Sequence, residues 1–88
     1  MIKVIKRDGQ LAEFNLKKIS NAITKAFVAT QTLYNDEIIN LLSLRVTSKF
    51  QKKIKDETIH VEDIQDTVEA VLEESGYTGV AKAYILYR

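Results

Sequence analysis

Cysteine and tryptophan are absent from these 88 residues, and histidine occurs once, at His60. Without cysteine there is no disulfide, no thiolate nucleophile and no zinc ribbon. A single imidazole gives almost nothing from which to build a histidine metal site or a Ser-His-Asp relay, so His60 reads as a strand-end or helix-entry residue. No catalytic and no metal-binding residue is assigned, and catalysis by this chain alone is not expected. Long apolar runs are missing too: Asn40, Ser43 and Arg45 interrupt the richest stretch, IINLLSL, and the N-terminus lacks a signal-peptide pattern. No membrane partner is expected, and a cytoplasmic setting is the default. A formal net charge of +1 gives no sign of wholesale binding to a phosphodiester backbone.

What is present fits one small domain over residues 1–88, near the size at which a single core becomes adequate. Hydrophobic residues make up 45% and charged residues 28%, as in ordinary globular proteins rather than disordered ones. The charge is unevenly spread. Residues 1–25 carry six Lys or Arg against Asp8 and Glu13, whereas 56–74 carry eight acids and no Lys or Arg. The first segment is therefore the place to seek an anion.

Asp8-Gly9 between KVIK and QLAEF predicts a hairpin with a two-residue type I′ turn, pairing Arg7 with Gln10, Lys6 with Leu11 and Ile5 with Ala12. Alternation would send Lys6 and Arg7 to opposite faces, but ribbon twist lets both approach one ligand from the side. Asn15 is a good N-cap, and Leu16, Ile19, Ile23, Ala26 and Phe27 at helical spacing predict a helix from about 16 to about 29. A second helix is predicted from near Asn35, with Ile38, Leu42, Val46 and Phe50 on one stripe and Lys49, Lys52 and Lys53 at its end. Glu57 to His60 reads as a short third strand. A third helix opens on Glu62-Asp63, carries Ile64, Val68, Val71 and Leu72, and stops at Gly76 as its C′ residue. Val80, Ala83, Tyr84 and Tyr87 predict a fourth. The apolar pattern still runs at Arg88 without a cap, which points to a domain excised from a larger protein. The fold class is thus α+β, a hairpin with a short third strand packed on a small four-helix bundle.

The second helix places acids at its start, so Lys17-Lys18 in the first turn of the first helix needs a reason. Each such cation costs a few tenths of a kcal/mol, up to about 1, relative to an acid there. A phosphate chain would reverse the sign: exposed N–H groups at the helix start, Lys18, and Lys6-Arg7 on the hairpin supply dipole, point charge and a bidentate fork. The same pattern also reads as solvated surface cations, or as a site for RNA or an acidic protein.

V-x-K-R-D-G, then Phe14, then K-I with Ala22-Ile23 after it, then IHVEDIQDTVE and a closing AKAYILYR, together resemble the ATP-cone domain of ribonucleotide reductases over essentially the whole chain. The ending is most similar to anaerobic (class III) ribonucleoside-triphosphate reductases. The resemblance implies a hairpin lid over a helical bundle with ATP or dATP between them, Mg²⁺ as an accompanying ion, and the catalytic domain of a parent reductase as partner. It implies phosphate contacts from Lys6, Arg7 and Lys18, and a base or sugar contact from Asn15. Val61 and Gln65 become cleft candidates, as does Lys82, which reads equally as a solvated helix lysine. Some relatives carry an acid four positions beyond the Asp of KRDG, where this chain has Ala12 followed by Glu13. The family further implies that ATP favours activity and dATP inhibition, through the activity or oligomeric state of the attached enzyme. The alternatives are a nucleotide-responsive transcriptional regulator or nucleic-acid-binding module, and a structural interaction domain. Nucleic acid is the less expected partner, because the regulator in this family joins its cone to a cysteine-rich ribbon.

Overall fold

A computed structural model describes residues 1–88. Three short strands and four helices follow one another as β1 (Lys3–Ile5), β2 (Leu11–Glu13), α1 (Leu16–Ala29), α2 (Asp36–Lys49), a 3₁₀ turn (Phe50–Lys53), β3 (Thr58–His60), α3 (Val61–Glu74) and α4 (Thr78–Tyr87). The α+β architecture is the one expected.

The hairpin register differs from the expected one by a single residue. Lys3 faces Glu13, Val4 faces Ala12 and Ile5 faces Leu11, so the loop is Arg7-Asp8-Gly9 rather than Asp8-Gly9. Gly9 N–H donates to the Lys6 carbonyl at 2.9 Å, Lys6 N–H to that of Gln10 at 2.8 Å, and in this loop only Gly9 has a positive φ, 87°. A type I′ turn would also need Asp8 in the left-handed region. Instead the Asp8 carboxylate accepts the Gln10 N–H at 3.0 Å, and this Asx turn followed by one left-handed glycine makes a three-residue loop with a bulge. A slip of one residue turns every strand side chain to the other face. The slip puts Val4 and Ala12 opposite each other, on the face that lines a cleft with α1 and α3.

β3 adds to β1 in parallel, giving the order β2-β1-β3. It is entered through a tight turn in which Lys55 and Thr58 exchange two backbone hydrogen bonds of 2.9 Å, with Asp56 and Glu57 at φ 52° and 61°. The two consecutive left-handed residues expected at Asp8-Gly9 thus occur here.

The starts of α1 and α2 and the end of α3 fall where the sequence predicts them. Asn15 Oδ1 accepts the Lys17 N–H at 2.9 Å, and Asn35 Oδ1 accepts that of Ile38 at 2.8 Å. Past α3, Gly76 at φ 88° lets Gly76 N–H reach the Glu73 carbonyl and Tyr77 N–H that of Leu72, the paired bonds of a Schellman cap. In cross-section α1 neighbours α2, α2 neighbours α3, α3 neighbours α4, and α4 closes the ring on α1. Ile23, Phe27, Val46, Phe50, Val68 and Leu72 fill its centre. On α2 the buried stripe runs through Ile39 rather than Ile38, which is half-buried, and Tyr87 is exposed beyond the end of the core. Phe14 meets Phe50 edge to face, ring centroids 5.5 Å apart, and so ties the foot of the hairpin to the bundle.

Candidate functional site

The sheet does not close over the bundle; between them lies a cleft of about 230 Å³. Its hairpin wall is Val4, Lys6, Ala12, Glu13 and Phe14, its α1 wall Asn15, Lys18, Ile19 and Ala22, its α3 wall Val61, Ile64, Gln65 and Val68, and its floor Tyr84 of α4. Nine of these fourteen residues are hydrophobic, so the interior suits a flat apolar group and the polar groups define a rim.

Of the residues singled out in the sequence, Lys6, Asn15, Lys18, Val61 and Gln65 all border this cleft. Arg7 borders an adjoining recess of about 320 Å³ with Lys6, Asp8, Val61 and Gln65, and its Nη2 donates to Gln65 Oε1 at 2.9 Å. The two neighbouring cations therefore reach one lip of the cleft. On the other side Lys18, Ala22, Gln65 and Tyr84 also bound a recess of about 400 Å³ that adds Asn21, Lys25, Tyr87 and Arg88. Gln65 is common to all three spaces. Lys82 lines none of them; it is exposed, because two positions along a helix is a rotation of about 200° and α4 turns Tyr84 inward.

The start of α1 offers fewer open N–H groups than its sequence suggests. Lys17 N–H is taken by the Asn15 side chain and Lys18 N–H by the Asn15 carbonyl at 3.1 Å, which leaves the Lys18 ammonium and the helix dipole to attract an anion. Ala12 places no acid in the cleft, and the Glu13 carboxylate lies 3.5 Å from Lys3 Nζ. The acids of α3 are partly occupied as well: Arg88 Nη1 donates to Asp66 at 2.9 Å and to Glu69. Burial opposes the charge on Arg88, yet these hydrogen bonds hold its pKa above the ordinary value. Burial is also the main reason that the Tyr84 hydroxyl is pushed up to about 12.

A further recess of about 360 Å³ lies between α2 and α3, but Val71 is its only hydrophobic residue. Its polar groups are paired, Arg45 with Ser75 at 3.1 Å and Lys49 with Glu74. The hairpin cleft is the better binding site because it alone combines an apolar interior with uncommitted cations at its rim.

Sequence reasoning missed Tyr84 as a cleft residue. Its spacing with Val80 and Ala83 marked it as core, and it is buried; only the packing of α4 makes it line the cleft as well.

The model of the ATP cone domain matches residues 2–88. Over its whole length the chain is 44% identical to a ribonucleoside-diphosphate reductase subunit alpha of Chlamydia pneumoniae, and 41% identical to a vitamin B12-dependent ribonucleoside-diphosphate reductase of Thermoplasma acidophilum. Across 97% of its length it is 39% identical to an anaerobic ribonucleoside-triphosphate reductase of Haemophilus influenzae. The matched stretch is 9%, 12% and 12% of those relatives, so the chain spans about a tenth of their length.

Proposed function

The chain belongs to the ATP cone domain family, and from that premise we propose that it is a regulatory module binding ATP or dATP. The occupant controls the activity or oligomeric state of an attached ribonucleotide reductase. One observation carries this reading: an apolar slot between hairpin and bundle whose rim holds Lys6, Lys18, Asn15 and Gln65, with Arg7 on the adjoining lip. Such a slot suits a base, and the cations suit the phosphates that follow it. In this reading Lys6, Arg7 and Lys18 hold the phosphate chain. Asn15, whose Oδ1 is committed to the cap, offers its amide N–H groups to the sugar or base. Mg²⁺ accompanying the phosphates would be bound by their oxygens rather than by a protein cage, since the chain groups no three His, Cys, Asp or Glu side chains that could hold it.

The closing AKAYILYR favours an anaerobic triphosphate reductase as the parent, although relatives of three reductase kinds match over the same stretch. The reduction itself belongs to that parent, and this chain supplies no cysteine for it. No helix is long and apolar enough to cross a membrane, and the proposed setting is the cytoplasm. Calorimetric titration with ATP, dATP, GTP and a short oligonucleotide tests the proposal. Adenine-selective binding is the expected result; salt-sensitive binding of the oligonucleotide alone would overturn it in favour of a nucleic-acid module.

A further inference from the structure

Tyr84 stands apart from the other buried polar side chains. Ser43 Oγ is bonded to Ser20 and to the Ile39 carbonyl, and Thr67 Oγ1 to the Asp63 carbonyl and Lys53. The Tyr84 side chain, only 8% exposed, makes no hydrogen bond within the chain. No side-chain polar atom is both sealed from solvent and unpaired, so its hydroxyl opens into the space beside it. Tyr84 lines both the apolar cleft and the recess that holds Lys18, Lys25 and Arg88. Arg88 and Arg7 act on the hydroxyl electrostatically to lower its pKa, and Glu69 and Asp66 to raise it, all more weakly than burial.

Resting on the nucleotide reading above, we infer that Tyr84 contacts the ligand, its hydroxyl donating a hydrogen bond to the phosphate chain beside Lys18. The hydroxyl has no partner within the chain and stays open to the space beside it, so a ligand oxygen at the junction of slot and cationic recess can accept its hydrogen bond without breaking an internal one. The group stays protonated at neutral pH, so it donates to an anion without repelling it. It adds a neutral contact on the cleft floor, opposite the cations of the hairpin.

The test is Tyr84→Phe, which keeps the ring and removes only the hydroxyl. ATP and adenosine are titrated into both proteins. ATP affinity is expected to fall about tenfold, about 1.4 kcal/mol, with adenosine affinity and neutral-pH melting temperature unchanged. Equal ATP affinity in the two proteins would overturn the contact. An equal loss for adenosine and ATP would assign the hydroxyl to the nucleoside and overturn the phosphate contact. In the wild type, the Tyr84 ζ-carbon resonance should shift with ATP and not with adenosine, and an unmoved resonance also overturns the inference. A wild type that binds neither compound would instead overturn the nucleotide reading itself.

Discussion

Arg7 Nη2 donates to Gln65 Oε1 at 2.9 Å, joining the hairpin tip to the first turns of α3 across 58 residues of chain. Both groups reach this contact from the surface, so it adds little to stability, but it poses a guanidinium at the lip of the cleft with only a neutral partner to give up. An arriving phosphate is a stronger acceptor than a carboxamide.

Lys6→Ala and Arg7→Ala should each weaken triphosphate binding by ~1.5–3 kcal/mol while leaving the melting temperature of the free domain nearly unchanged. Both side chains are exposed and neither belongs to the core. Calorimetry on the two variants checks this, and unchanged affinity in both removes the hairpin from the proposed phosphate site.

Both turns should favour glycine at a left-handed position. Gly9→Val places a β-branched residue at φ 87° and should destabilise the domain by ~1–3 kcal/mol, although nothing lies within 4 Å of the added Cβ. Glu57→Gly relieves a left-handed residue at φ 61° and should stabilise by ~0.5–1 kcal/mol. Denaturant unfolding of both variants measures these signs.

Lys18→Glu should raise the stability of the free domain by up to ~1 kcal/mol, because an acid in the first turn of α1 suits the dipole. It should lower ATP affinity by more than tenfold, roughly 1.4 kcal/mol, since it deletes a cation and adds repulsion. Melting curves with and without saturating ATP separate the two effects. Equal ATP-induced shifts in wild type and variant would show Lys18 to be an ordinary solvated lysine.

Alkaline pH should expose the burial of Tyr84. Its pKa is raised from 10.0 to about 12, so the folded state holds the proton more tightly than the unfolded one. The corresponding stability is fully present below pH ~10 and is lost as pH rises toward ~12, a loss of order 1–2 kcal/mol after allowing for partial solvation. Tyr84→Phe should flatten this step relative to wild type in unfolding measurements between those pH values.

Helix positions were legible because capping and amphipathic periodicity act over a few residues: Asn15, Asn35 and Gly76 mark boundaries through local hydrogen bonds. The basic tip and the Lys18 anomaly were legible for the same reason, since helix dipole and turn chemistry are local. Hairpin register was not, because Asp-Gly is compatible with two loop lengths, and what separates them is which strand face meets the bundle. The sequence by itself determined the elements, their order and the store of cations near the N-terminus. Only the tertiary structure decided which side chains share one space: it set Gln65 against Arg7, turned Lys82 outward and made Tyr84 a lining residue of the cleft. The physical reason is that helix rotation is fixed by packing summed over the whole core, in which each residue's contacts lie far away in sequence.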